Sequence, residues 1–293
     1  MKKLLLTALI PLALFGNDEG GKIYNGYTYF SVGVQNTAYQ EDFFSTTLGQ
    51  NVHSDVKTTS PVYISGGLMR VNDKYDFSMD IASTLLPTQG DEKWYTDGAL
   101  YQTNSFDAMI NSMEFLGHYK VTNNHRFVLG ATYTLDSYKR YTWKDETGAY
   151  ITQTVTDPAT GLPTDSGVKL GLTEERVATL YATTGYWYES IPHATMGNVR
   201  FKANALIGLP IWNQANNTSF EKITFNSTSG YKAEANLYAG YPLLKGLELG
   251  LFTGYNYQKK SGTDVAADGH TKWPENVLSS WQAGVSLVWN FSN

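Results

Sequence analysis

The chain has 293 residues, a net charge of −5, 14% aromatic residues and no cysteine. Without cysteine it can form no disulfide framework, no lipid-modified cysteine anchor and no thiolate metal site. The mild negative charge argues against nucleic-acid binding, which needs a concentrated basic patch, so no nucleic-acid partner is expected.

The first element in the chain is an export signal. Lys2 and Lys3 precede the apolar run LLLTALIPLALFG, which is shorter than the about 20 residues that a spanning helix needs. We therefore expect a signal peptide over residues 1–16. No linker and no change of composition divides the remainder of the chain, which predicts one domain over residues 17–293.

Ten later segments alternate apolar and polar residues, and the clearest runs from Tyr75 to Leu85. Its apolar parity holds Tyr75, Phe77, Met79, Ile81 and Leu85. Successive side chains of a strand point to opposite faces, so each segment is predicted to be a strand with one apolar and one polar face. The ten predicted strands cover about residues 23–36, 60–72, 75–85, 108–121, 127–140, 175–189, 199–211, 231–241, 247–258 and 281–291.

Short and long connections alternate between these strands. The short ones fall near residues 72–74, 122–125, 190–197 and 242–246, and the long ones near 37–59, 87–107, 143–174, 213–229 and 259–277. This alternation predicts an all-β fold, a transmembrane antiparallel barrel of about ten strands with short periplasmic turns and long extracellular loops. A count of eight or twelve stays open if a segment has been split or merged.

The signal, the alternating strands and a last strand ending in Trp289 and Phe291 resemble bacterial outer-membrane β-barrel proteins as a class. The resemblance implies a location in the bacterial outer membrane, contact with its lipid and lipopolysaccharide, and recognition of Trp289 and Phe291 by the barrel-assembly machinery. Ser292 and Asn293 follow Phe291, which departs slightly from the usual aromatic ending. The resemblance rests on a pattern and implies no activity.

The polar parity carries a nearly balanced set of ionisable residues that should face the lumen. In a narrow barrel such charges are expected to pair across strands and close the lumen, and the alternative is a narrow ion or solute path lined by them. The set comprises Asp76, Asp80, Glu114, His118, Lys120, Asp136, Arg140, Arg200, Lys202, Lys232, Glu234 and Glu248.

Catalytic arrangements known from outer-membrane enzymes match the chain poorly. Asp268 and His270 could pair as in omptin proteases, but the Asp-x-Asp partner is missing. Lipid hydrolases need a Ser–His pair on the outer face, whereas His53–Ser54 is predicted to lie in a loop and His118 to face inward. His125 and His193 are placed in periplasmic turns. No catalytic residue, metal ligand or cofactor is therefore expected.

The long loops are the remaining functional candidates. The 143–174 connection is predicted to form a hairpin above the membrane. The 87–107 connection presents Trp94, Tyr95 and Tyr101 among acidic residues, as either an exposed ligand surface or an aromatic rim. The sequence thus predicts a non-enzymatic barrel with a structural or surface-binding role toward an extracellular ligand; a narrow channel and an omptin-like hydrolase are the alternatives.

Overall fold

A computed structural model describes residues 26–45, 48–156, 163–190, 198–220, 223–244, 246–263 and 273–291. The predicted signal peptide, residues 1–16, lies outside these ranges. The strands are β1 (Gly26–Ser45), β2 (Gln50–Arg70), β3 (Tyr75–Thr84), β4 (Gly90–Thr96), β5 (Ala99–Lys120), β6 (His125–Asp145), β7 (Thr152–Thr156), β8 (Pro163–Lys169), β9 (Thr173–Glu189), β10 (Arg200–Asn217), β11 (Thr224–Phe225), β12 (Gly230–Leu244), β13 (Leu247–Lys260) and β14 (Glu275–Phe291).

Among the described residues, ten of these strands close into one antiparallel ring. The ring closes because β1 pairs on one side with β2 and on the other with β14. Gly33 and Gly284 face each other in the closing ladder, and a Cβ on either would collide with the opposite backbone. The predicted ten-stranded barrel is confirmed; the ring runs β1-β14-β13-β12-β10-β9-β6-β5-β3-β2.

The outer face of the ring carries an apolar belt. On β1, Phe30, Val32 and Val34 are 41–51% exposed, whereas Ser31 between them is buried inside. Aqueous solvent would penalise such a continuous apolar exterior, and lipid favours it. We call this outward apolar zone the lipid belt: it includes Phe30, Val32, Val34, Phe77, Phe115, Phe127, Leu129, Tyr133, Ile207, Leu209, Leu237, Leu251, Val285 and Leu287.

The strands continue well beyond the lipid belt at one end. A tilted spanning strand needs about 9–11 residues, but β1 has 20 residues and β5 has 22. Above Val34 the outward positions of β1 include the polar Asn36, Gln40 and Asp42. This extracellular wall therefore has water on its outer side, and the ten strands of the membrane barrel continue into it.

In the extracellular wall, several segments that were predicted to be loops are strands. The 37–59 connection is mostly β1 and β2, with only residues 46–49 between them, so His53 and Ser54 lie in a strand. The 87–107 connection contains β4, which pairs with β2 and β5. Above the membrane neither face of a strand meets lipid, so the apolar alternation that marks spanning segments disappears.

The connections also include features that the sequence predicted. β7 and β8 form the predicted hairpin between residues 143 and 174. In the short turn after β2, the Asn72 Oδ1 accepts hydrogen bonds from the backbone N–H groups of Lys74 and Tyr75 at 2.8 and 2.9 Å. Such an Asx turn reverses the chain in few residues. No helix within the described ranges is long and apolar enough to cross a membrane.

A charge in the lipid belt should destabilise the barrel. Leu251 pairs with Val285, which pairs with Val32 at the middle of the β1 part of the belt. We expect Leu251→Arg to cost about 2–4 kcal/mol of unfolding free energy, measured by urea titration in lipid vesicles. Gln40→Arg, which faces outward above the belt, is the control and should change little; equal losses for both variants would contradict the position of the belt.

Candidate functional site

The barrel interior is the part of the structure with the densest buried charge. All twelve residues of the predicted lumen set point inward. They do not form one network, because they divide into layers along the barrel axis. The layers are a periplasmic ion-pair layer, a central chamber and an extracellular layer.

The periplasmic layer is held by guanidinium groups between carboxylates. Arg126 lies 3.0 Å from Asp76 and 2.9 Å from Glu189, and Arg200 lies 3.4 Å from Glu189 and 3.1 Å from Glu248. These five side chains are nearly or fully buried. Two further cations complete the periplasmic layer: Lys120 lies 2.7 Å from Asp76 and Arg70 3.6 Å from Glu189. Paired, buried charges therefore occupy this end of the lumen.

The central chamber is a cavity of about 150 Å³ above the periplasmic layer. Lys202 lines it, and among the described residues no carboxylate oxygen lies within 4.0 Å of its Nζ, which sits 3.6 Å from the centre of the Tyr27 ring. Asp80 and Glu114 are cross-strand neighbours on the facing wall. Asp80 accepts a hydrogen bond from Tyr29 at 2.7 Å and Glu114 one from Thr132 at 2.9 Å.

Two further charged residues of the chamber neutralise each other. Lys232 and Glu234, two residues apart on β12, form an ion pair of 2.7 Å. Asn256 and Gln258 on β13 also line the chamber, and among the described residues the buried Asn256 Oδ1 and Gln258 Nε2 have no hydrogen-bond partner. Buried polar groups are normally paired with protein or water. These two amides are therefore candidates to bind water or a small polar ligand.

The extracellular layer centres on Arg140. Its guanidinium donates to Glu92 at 2.7 and 3.0 Å, to Glu175 at 2.9 Å and to Glu41 at 2.7 Å. The Tyr39 hydroxyl donates to Glu41 at 2.5 Å. Three carboxylates thus share one cation, so this cluster carries excess negative charge if all of them are ionised.

Aromatic side chains close the lumen around this cluster. The rings of Tyr39, Phe106 and Trp94 each lie 5.3–5.7 Å from the Arg140 guanidinium carbon. Just below, Lys260 donates to Asp136 at 2.9 Å. Phe225 and Trp273 pack into the same buried cluster, with ring centroids 5.1 Å apart. Ion pairs and aromatic packing therefore leave little room for an axial path at the extracellular end.

The Arg140 cluster lies above the lipid belt, since the outward neighbours of Glu175 are the charged Glu174 and Arg176. Burial and the nearby Glu41 carboxylate raise the pKa of Glu175 to about 8, although Arg140 opposes them. Burial lowers the pKa of Arg140, but the three carboxylates outweigh it and hold that pKa well above its usual range. A raised pKa favours the protonated form of Glu175, whose Oε1 has no hydrogen-bond partner among the described residues.

The sequence missed about half of the residues that pair with the predicted set. Arg126 and Glu189 fit the inward parity of their strands, because their neighbours Phe127 and Tyr188 face outward. Both lie at strand ends next to predicted turns, where the alternation was not followed. Parity carried to the strand ends would have found them. Arg70 belonged to the least regular predicted strand. Glu41, Glu92, Glu175 and Lys260 lie on strand segments at or above the edge of the lipid belt, where no apolar alternation marks the inward positions.

The described histidines lie in different surroundings. His118 is buried, with Nε2 2.8 Å from the Ser78 hydroxyl. His53 bonds Asp42 at 2.8 Å on the exposed outer side of the extracellular wall, and His125, at the start of β6, contacts the Tyr186 hydroxyl. His193, Asp268 and His270 lie outside the described residues. The structure describes no group of three or more His, Asp or Glu side chains placed to hold a metal ion.

The prediction of an exposed aromatic surface was wrong for Trp94. Trp94 was expected to be exposed in a loop, but it is buried inside the wall, where its Nε1 donates to Asn104 at 2.6 Å. It lies on β4, whose alternation turns Trp94 inward and the half-buried Tyr95 outward. Tyr101 is exposed as expected. Trp289 and Phe291 face outward on β14 at the periplasmic end of the lipid belt.

Comparison with solved structures agrees with this architecture. The chain is similar to the outer membrane protease OmpT from Escherichia coli, with a TM-score of 0.65 over 94% of this chain and 100% of that chain at 10% identity. More distant likenesses include the translocator domain of the autotransporter NalP from Neisseria meningitidis (TM-score 0.35, 9% identity, covering 97% and 92%) and a Pseudomonas aeruginosa FadL homologue (0.37, 9%, 92% and 91%).

No family model matches the chain, and no curated protein matches its sequence. At 10% identity the likeness to OmpT shows a shared fold. Together with the closed ring and the lipid belt, it makes the chain a bacterial outer-membrane β-barrel protein, located in that membrane.

Protonation of Glu175 should make stability depend on pH. The folded pKa of about 8 lies above the about 4.3 of an unfolded Glu, so the folded state binds the extra proton. Stability is then highest at low pH and falls as pH rises through this window. We expect Glu175→Gln to flatten the fall between about pH 5 and about pH 9 in urea unfolding curves. Glu174→Gln, whose partner Arg176 is exposed, is the control; an unchanged slope in Glu175→Gln would contradict the assignment.

Proposed function

We propose that this protein is a non-conducting outer-membrane barrel whose extracellular wall is its working surface, with a structural or surface-binding role at the cell surface. The observation that carries the proposal is a layer of paired, buried charges toward each end of the lumen. Arg126 and Arg200 pair with carboxylates in the periplasmic layer, and Arg140 pairs with Glu92 in the extracellular layer. A solute moving along the axis would have to break both.

The energetic argument favours closure over conduction. Removing one partner of a buried ion pair leaves an uncompensated charge that costs about 3–5 kcal/mol. Arg126 and Arg200 are each held by two carboxylates, and Glu189 contacts both. Opening the layer would separate several such pairs at once. Spontaneous axial opening is therefore rare.

The extracellular wall supports the surface-binding part of the proposal. It projects above the lipid belt and carries the β7–β8 hairpin at residues 152–169. Exposed aromatics on it include Phe44 and Tyr101. Aromatic side chains supply much of the affinity at protein interfaces. The lower part of the wall would contact lipopolysaccharide, and Trp289 and Phe291 would serve the barrel-assembly machinery after export by the signal peptide.

The alternatives rest on narrower ground. A narrow channel would use the chamber around Lys202, which lies between the two layers of charged residues. An omptin-like hydrolase would use Asp268 and His270. The likeness to a protease concerns the fold, so it adds no catalytic residue to this alternative.

Planar-bilayer recordings test the closure. Wild-type protein should give no discrete conductance steps, and Glu189→Gln should give them, because three neighbouring guanidinium groups then lose a shared carboxylate. Glu275→Gln is the matched control, since it removes a partly exposed pair with Lys259. Steady conductance of the wild type, altered by neutralising Arg200 or Lys202, would support the channel instead.

Removal of the hairpin tests the surface role. Deleting residues 150–170 should abolish binding to a glycan array while the heat-modifiable gel mobility of the folded barrel survives, because the hairpin pairs outside the ring. A variant of the same length with those residues scrambled controls for loop length. Absence of binding by the wild-type protein to any glycan or to extracellular-matrix proteins would count against the role.

A further inference from the structure

The barrel wall has an interrupted ladder between β10 and β12. β10 pairs with β9 as far as Asn217, but its ladder with β12 ends at Gly208, opposite Lys232. Beyond that point the described partner of β10 on this side is β11, at Ala215 and Asn216. Among the described residues, no ladder pairing joins segment 209–214 to β12 or to the connection at 226–229. We call this interruption the β10–β12 seam.

The local sequence explains the seam. Pro210 has no N–H to donate to a ladder, and the pairing with β9 shifts register between Pro210 and Trp212, which is the mark of a bulge. On the other side, β12 begins at Gly230, which has a φ of +123°. A bulged segment that contains Pro210 therefore lies next to β12, which begins only at Gly230.

The seam opens toward lipid in the outer half of the membrane. Gln214 pairs with Ala178, and Ala178 pairs with Leu135, so the seam is level with the extracellular part of the lipid belt. Leu209, Ile211 and Trp212 are 60%, 57% and 42% exposed on its outer side. An apolar chain in the outer leaflet would meet this surface directly.

On the lumen side, the side chain of Tyr181 lies at the foot of the seam. Fully buried Tyr181, from β9, has its Cβ 3.1 Å and its ring 3.3 Å from the position that a Cβ on Gly208 would take. Its hydroxyl donates to Gln258 Oε1 on β13 at 3.3 Å. Tyr181 therefore reaches from β9 past β10 to β13, behind the seam. The absence of a side chain at Gly208 is what makes room for the ring.

The central chamber lies behind Tyr181. Gln258, which is 1% exposed, lines it, and among the described residues its Nε2 has no hydrogen-bond partner. Asn256 lines it too, and no described residue pairs with its Oδ1. Apolar surface outside the seam and unpaired amide groups inside it are complementary to a molecule with an apolar tail and a small polar head.

We propose that the β10–β12 seam is a lateral binding site for a single-chain amphiphile of the outer leaflet. Its tail lies against Leu209, Ile211 and Trp212. Its head, a carboxyl or hydroxyl group that both donates and accepts hydrogen bonds, reaches Asn256 and Gln258 when the Tyr181 ring swings aside. A chamber of about 150 Å³ admits a head of a few non-hydrogen atoms and excludes a diacyl lipid. The site is separate from the surface role proposed above.

Photo-cross-linking of the full-length refolded protein tests the site. The probe is a palmitic acid with a diazirine near the carboxyl group, and adducts are mapped by mass spectrometry. We expect adducts on segment 209–214 and on the peptide holding Asn256 and Gln258, competed by unlabelled palmitic acid. Tyr181→Ala should increase the chamber adducts severalfold. Tyr181→Phe, which keeps the ring and loses the bond to Gln258, should stay near the wild-type level.

The outcomes separate the possibilities. Competition by lysophosphatidylcholine in place of palmitic acid would assign the amphiphile to lysophospholipids, within the same proposal. Adducts spread evenly around the lipid belt, with none in the chamber of the wild type or of Tyr181→Ala, would overturn it. Heat-modifiable mobility checks that each variant is folded. If Tyr181→Ala does not fold, the wild-type adducts decide alone: competed chamber adducts support the site and their absence refutes it.

Discussion

Closure of the sheet on itself is the constraint on which the rest of this structure depends. Because β1 pairs with both β2 and β14, every ring strand has two neighbours and one face turned to the lumen. In a membrane this closure satisfies backbone groups that lipid cannot. It also forces half of the side chains of each strand into a narrow interior. The charge network is a consequence of that confinement, since charges placed there must find partners.

Oppositely charged side chains are distributed unequally along the barrel axis. At the periplasmic end, carboxylates and guanidinium groups interleave, with Glu189 between Arg126 and Arg200. At the extracellular end, Arg140 contacts the three carboxylates of Glu41, Glu92 and Glu175, and the excess negative charge raises the pKa of Glu175. The two ends therefore differ: guanidinium groups and carboxylates alternate at one end, whereas one guanidinium serves three carboxylates at the other.

The sequence predicts this fold as far as lipid enforces alternation. Where the outer face meets lipid, as at Tyr75–Leu85, parity identifies the strand and its inward residues correctly. Above the belt both faces tolerate polar residues, so β1 and β2 beyond Asn36 read as a loop although they are regular strands. Partners such as Glu92 were missed for that reason. Which charges pair is set by strand order and register, because Lys260 and Asp136 lie 124 positions apart.

Closure of the sheet also determines where the barrel can open. Axial opening must separate buried ion pairs, which the low polarity of the interior makes costly. At the β10–β12 seam the ladder is already interrupted, and Tyr181 lies behind its lower end with one hydrogen bond of 3.3 Å to Gln258. A neutral hydrogen bond contributes only about 0.5–1.5 kcal/mol, and rotating one ring leaves no charge unpaired. Opening the proposed lateral site would therefore require the rotation of one ring, whereas axial opening would require the separation of several buried ion pairs.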